Sequence, residues 1–274
     1  MKTGPGRQDP ARGRSLADRG SLSPREDLSA AEILRQPLPY GHRPLGRVLA
    51  RLVLASFRER ILHVEGLEHL APHQDPLILV LNHSQRVEAV LIPTLLIVAR
   101  AGKLVHFLAD WNFRLYPGLN LIFRLSETIT VVRKDARPRF LNLLKPLYRP
   151  DHPPLVEARR RLEAGAAVGI FPEGTVNRDP GRLLAGHPGA ARLSLETGVK
   201  VVPAGIRFPE HPPDRPISDK ARLALHVGAP LHPPTEHVGR RAPAAAVRSW
   251  HHRLMSELAR LSGKTWQPRA TGGA

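Results

Sequence analysis

The stretch Leu77-Ile78-Leu79-Val80-Leu81 constrains the fold of this chain more than any other. Five consecutive apolar residues, bounded by Pro76 and by the polar run Asn82–Glu88, mark a strand buried on both faces. Such a strand belongs in the middle of a sheet covered by helices. Further strands are predicted at Val105–Leu108, Ile129–Val132, Ala167–Phe171, Val201–Ile206 and Ala224–Val227. Helices are predicted at Pro138–Tyr148, Leu155–Ala164, Gly189–Thr197 and Ala242–Leu261, and the apolar run Ala89–Ala99 follows the first strand. The alternation implies an α/β fold, a layered domain with a mostly parallel or mixed central sheet flanked by helices.

An amphipathic helical segment at 45–60 precedes that domain. Leu45, Val48, Leu49, Leu52 and Val53 recur at helical spacing, with Arg47, Arg51, Arg58 and Arg60 around them. Such a helix suits an anionic membrane interface; it equally suits packing on the domain with its arginines solvated. Residues 1–40 read as a disordered basic tail, because Gly, Pro, Arg, Ser and Asp dominate and apolar runs are missing. Residues 263–274 read likewise, which leaves a domain at 41–262 with its core at 61–231 and a closing helix at 242–261. On that basis, removing Met1 to Leu28 should leave function nearly unchanged. The tail lacks the apolar centre of a secretory signal, and no run reaches the roughly 20 apolar residues of a membrane span.

Charge narrows the partners without choosing one. Lys and Arg total 41 against 24 Asp and Glu, a formal net charge of +17, and 34 of the basic residues are arginine. Nucleic acid, an anionic membrane and a phosphorylated substrate all fit such an excess, and so does GC-rich coding. Aromatic residues make up only 5% and no helix-turn-helix or zinc pattern is visible, so nucleic acid is not expected as a partner. The absence of cysteine removes disulfides, thiolate metal sites and a cysteine nucleophile.

Three constellations at predicted strand ends carry chemistry. His83 and Glu88 flank the turn after Leu81, five positions apart, a spacing that puts them on different helical faces. His83 would therefore sit in the turn, with Glu88 early in the next helix as its orienting carboxylate. Glu173-Gly174-Thr175 ends the strand at Ala167–Phe171, with Arg178 beyond it as a phosphate-seeking guanidinium. Arg133 and Lys134 end the strand at Ile129–Val132. Taken singly, each is also compatible with an ordinary turn or a solvated surface.

In this order the three resemble the glycerolipid acyltransferase family, the 1-acylglycerol-3-phosphate acyltransferases and their relatives. The family's N-H-x-x-x-x-D block is matched by Asn82 and His83, with Glu88 at the Asp position. Its F-P-E-G-T-R-S-R block is matched by Phe171, Pro172, Glu173, Gly174, Thr175 and Arg178, and its V-P-[VA] block by Val202, Pro203 and Ala204. Arg133 matches a further block, and the likeness runs from Ile61 to Leu231.

The resemblance implies an acyl thioester of coenzyme A or acyl carrier protein as co-substrate, and a lysophospholipid or glycerol-phosphate-like acceptor. It implies His83 as general base oriented by Glu88, with Asn82, Arg133, Glu173, Gly174, Thr175 and Arg178 binding substrate, and no metal or other cofactor. It also implies a cytoplasmic protein peripheral on the inner face of the cell membrane. Three departures stand out: Glu88 for Asp, Glu127 for Gly and Val176 for Arg. The last two add a carboxylate and lose a cation, weakening a site for an anionic acceptor. A non-catalytic, lipid-binding member of the same family is the alternative.

Overall fold

The computed structural model describes residues 15–268 apart from Arg25, His42 and Arg137. Seven strands form one sheet: β1 Ile61–Glu65, β2 Leu77–Leu81, β3 Val105–Asp110, β4 Ile129–Val131, β5 Ala167–Ile170, β6 Val201–Arg207 and β7 Leu223–Val227, in the order β1-β7-β6-β2-β5-β3-β4. Neighbours run parallel except β6 and β7, so the sheet is mixed. β2 lies between β5 and β6, and its five residues are all buried. Alternate side chains of a strand point to opposite faces. Leu77, Leu79 and Leu81 accordingly enter one core cluster, while Ile78 and Val80 enter the other.

Helices cover both faces: α1 Ala30–Arg35, α2 Pro44–Phe57, α3 Glu88–Ala99, α4 Pro117–Leu125, α5 Pro154–Glu163, α6 Gly189–Thr197 and α7 Ala244–Ser262. α3 is apolar on nearly every side, and Leu91, Ile92, Leu95 and Leu96 sit in the first cluster with Leu54 of α2. α5, α6 and α7 close the other face through Leu162, Leu193, Trp250 and Leu254. The expected helix at Pro138–Tyr148 is a 3-10 segment, Arg139–Tyr148, interrupted by Pro146. α2 has two characters: Ala50 and Leu54 are buried, whereas Leu45, Val48 and Leu52, at helical spacing, are about half exposed.

The supposed N-terminal tail is packed where it is described. Leu16, Leu22, Leu28 and Ile33 all join the first core cluster. Leu22 exchanges backbone hydrogen bonds with Val64 of β1 at 2.8 and 2.7 Å, and Ser29 with Glu32 forms a capping box that starts α1. Single leucines separated by polar residues anchor this segment one at a time, which is why no apolar run marks it. At the other end Lys264 is buried and Thr265 donates its amide to the Gly181 carbonyl at 2.8 Å, so the described part of that tail is packed too. The remaining parts, 1–14 and 269–274, lie outside the described residues.

α7 lies hard against β6 at Gly205. A Cβ there would come within 2.1 Å of the Leu261 carbonyl carbon, so only glycine fits.

Removing Met1 to Leu28 should thus destabilise the protein, contrary to the expectation for a free tail. Three buried leucines, Leu16, Leu22 and Leu28, go with it. At about 1.5–3 kcal/mol each the loss is about 4 kcal/mol or more, read as a fall in the midpoint of urea unfolding. An unchanged midpoint would show that the segment adds nothing to the core.

Candidate active site

The turn after β2 is built from side chains that satisfy buried backbone. Asn82 Oδ1 accepts from the Ile206 amide at 2.7 Å, and its Nδ2 donates to the Ile206 carbonyl at 3.0 Å and to Ser84 Oγ at 3.3 Å. The side chain thus continues the β2–β6 ladder by one rung. With no exposed surface, Asn82, expected among the substrate-binding residues, splices two strands.

His83 and Glu88 meet as the spacing requires. Glu88 opens α3, completely buried, and its Oε2 lies 2.9 Å from His83 Nδ1. The same oxygen accepts from the Ser84 amide at 2.8 Å. With the carboxylate ionised, Nδ1 carries the ring proton and Nε2 keeps its lone pair. Burial pushes the Glu88 carboxyl above the ordinary carboxylate range, against the opposing pull of His83 and of the Ser84 and Gln85 amides. The Phe171 ring packs on the imidazole with centroids 4.6 Å apart, leaving His83 only 8% exposed.

Glu173 is also buried, and it faces the protein. Its Oε1 accepts from the His83 amide at 3.0 Å; its Oε2 accepts from Asn177 Nδ2 at 2.7 Å and from the Leu184 amide at 2.9 Å. The Asn177 amide returns a bond to the His83 carbonyl at 2.7 Å. Glu173, expected among the substrate-binding residues, thus ties the histidine turn to the loop after β5. A turn motif read from sequence shows its residue types but not which way the carboxylate points.

The expected cations separate. Arg133 Nη1, just past β4, lies 3.0 Å from His187 Nε2, and Lys134 Nζ donates to the Gly174 carbonyl at 2.7 Å. Together with Phe171 these residues line a hollow of about 290 Å³. Gly174 has φ +65°, and a Cβ on it would sit 3.0 Å from the His187 ring and 3.2 Å from Arg133 Nη2. Its missing side chain lets both groups close over the loop. Thr175 is exposed beside it. Arg178 does not join them: it donates to the Ile217 carbonyl and to Asp219 Oδ2, while Asp219 Oδ1 accepts from the Arg86 amide. It braces the Ile217–Asp219 loop against the histidine turn.

Glu127 does not enter the Arg133 hollow. It occupies a left-handed conformation at φ +48°, as suits a position where relatives carry glycine, and its carboxylate pairs with Arg161 at 2.9 Å. The gained negative charge is thus neutralised away from the hollow's lining.

Three further features were not found from sequence. Beyond Arg86 a hollow of about 660 Å³ opens between α3 and α4, lined by Ala89, Val90, Phe113, Leu119, Phe123 and Leu141 among others. Lys264, from the segment after α7, reaches under the histidine turn and donates from Nζ to Ser84 Oγ at 2.8 Å. His187 in the Arg133 hollow carried no motif either.

Comparison with known proteins places the fold and the family. A chloroplastic 1-acyl-sn-glycerol-3-phosphate acyltransferase of Arabidopsis thaliana is 28% identical over 162 residues, which is 59% of this chain and 40% of that protein. An uncharacterised acyltransferase of Schizosaccharomyces pombe is 35% identical over 89 residues, 30% of this chain and 12% of that one. The chain thus spans well under half the length of these curated relatives. The crystal structure of the 1-acyl-sn-glycerophosphate acyltransferase PlsC from Thermotoga maritima shares the fold, with a TM-score of 0.52 at 20% identity, covering 81% of this chain and 82% of that one. The family model described as Acyltransferase matches residues 61–207, more than half the chain and the span from β1 to the end of β6, so this protein is a member of the acyltransferase family.

Proposed function

We propose that the protein transfers an acyl chain from an acyl thioester to the hydroxyl of a lysophosphatidate-like acceptor, with His83 as general base. The observation that carries this is the buried His83–Glu88 pair, 2.9 Å apart at the end of β2. An alcohol is a poor nucleophile at neutral pH, so its proton must leave as it attacks. His83 Nε2 takes that proton while the hydroxyl oxygen bonds to the thioester carbonyl carbon. Glu88 stabilises the imidazolium that results. Collapse of the tetrahedral intermediate breaks the C–S bond, and the imidazolium returns its proton to the departing thiolate. Arg133 and Lys134 offer two cations to the acceptor phosphate at the rim of their hollow, and the larger hollow at α3 and α4 offers apolar side chains to an acyl chain.

The same chemistry calls for a lipid surface. Among the described residues no helix is long and apolar enough to cross a membrane. Phe140, Leu143 and Leu147 in the 3-10 segment are exposed by 68%, 83% and 78%, and Leu141 of that segment lines the larger hollow. These exposed side chains and the exposed stripe on α2 are the apolar surfaces offered to a membrane, with Arg139 and Arg149 exposed at the ends of the 3-10 segment. The arginines in and just after α2 contribute less than their number suggests. Arg51 is engaged with the Gln36 carbonyl and Arg60 with the Asp219 carbonyl.

Purified protein incubated with a labelled acyl thioester and a panel of lysophospholipids and glycerol phosphate should form an acylated product, and His83→Ala should abolish it. Retained liposome binding with no turnover on any acceptor would favour the non-catalytic alternative. Glu88→Gln should lower turnover about 10²–10⁴-fold. Glu88→Asp should also fall, because an arm one methylene shorter, about 1.5 Å, cannot reach both His83 Nδ1 and the Ser84 amide from the same backbone. A Glu88→Gln enzyme with parental turnover would sink the role given to the carboxylate. In flotation with anionic liposomes the parent should rise, and the double variant Leu143→Glu, Leu147→Glu should stay in the pellet fraction at the same salt.

A further inference from the structure

Lys264 is a buried lysine with 7% exposure at the end of a segment that carries no acyltransferase motif. Long charged side chains are almost never buried without a partner, so its placement needs a cause. Its Nζ donates to Ser84 Oγ at 2.8 Å and to the Asp179 carbonyl at 2.7 Å. Ser84 is the residue whose amide holds Glu88. The charged groups around the ammonium are Glu88 from α3, and Glu173 and Asp179 from the loop after β5. His83 lies across Ser84 on the same turn. Arg207 of β6 stands beside Gly263, with its guanidinium on the Leu261 and Arg260 carbonyls. Arg182, in the loop that bridges to Thr265, is exposed.

We propose that Lys264 is the fixed counter-cation of the buried Glu88 and Glu173 carboxylates, a positioning residue anchored on Ser84 that supports Glu88 as the partner of the His83 base. This rests on the acyl-transfer proposal above. Two carboxylates, 0% and 4% exposed, stand on either side of the histidine turn. Burial favours the protonated, neutral form of Glu88, and protonated Glu88 stabilises imidazolium poorly. A positive charge anchored by two hydrogen bonds opposes that protonation without touching substrate. Burial pushes the ammonium below the ordinary lysine range, while Glu173, Glu88 and Asp179 pull it back up. Removing the cation takes a positive charge from beside the buried Glu88 carboxylate and so raises the proton affinity of the histidine site. The base-competent form then appears only at higher pH.

The test compares the parent with Lys264→Arg, Lys264→Met and Lys264→Gln. Each is checked for folding by thermal unfolding, and either neutral variant suffices. In the pH profile of kcat/KM the acid limb should move up by about one unit in the neutral variants and stay in place in Lys264→Arg. Activity should return toward the parental plateau at high pH. The His83 imidazole, titrated by NMR without substrate, should move in the same direction. A lowered plateau with an unmoved limb and an unmoved His83 titration would overturn the proposal and leave Lys264 as scaffold. Should the parent transfer no acyl group while the His83 titration still moves in the neutral variants, the acyl-transfer proposal fails and the electrostatic one stands.

Discussion

A carboxylate buried at the C-terminal edge of the sheet must find donors, and Glu173 takes its three from three places in the chain. The His83 amide, the Asn177 side chain and the Leu184 amide converge on it. Leaving any one of these buried donors unmet costs about 1–3 kcal/mol, so the three segments are locked to one another by the demand for satisfaction. Asn82 makes the same demand across β2 and β6. The position of the imidazole follows from these two residues, neither of which need meet a substrate. Motif residues that look like ligands in a linear reading are here the fasteners of the loops that present His83.

Once those loops are fixed, the division of labour around them is spatial. One hollow, with Arg133 and Lys134 in its lining, opens on the side of β4 and β5, and a larger one opens on the side of α3 and α4. Phe171 links the first to the histidine turn, since its ring lines that hollow and packs on His83, and Arg86 of the turn lines the second.

Much of this was legible in the sequence, for reasons that differ by element. β2 declared itself because burial on both faces leaves no room for a polar residue, and α6 because its boundaries are set by Gly189 and the left-handed Gly198. The His83–Glu88 pairing was legible because the spacing forbids one helical face and so demands a turn followed by a helix. β1 was missed because an edge strand with His63 and Glu65 outward has only Ile61 and Val64 to show. The packed segment before α1 was missed because its leucines are solitary. Lys264 was invisible because a lysine in a polar stretch looks solvated until the fold brings Ser84 under it. Arg178 and Glu173 were recognised by type, but their contacts with Asp219 and with the His83 amide were not legible, since spacing cannot say which side of a loop a side chain faces.

The close approach at Gly205 has a consequence for how the site is spaced. The missing Cβ lets the last turn of α7 rest on β6, and the residues that follow inherit their reach from that contact. Gly205 acts as a shim of zero thickness: any thicker residue would lift the end of the helix and withdraw the ammonium from beneath the histidine turn. A position in the interior strand β6, bearing no functional group at all, thereby gauges how far Lys264 extends towards Ser84.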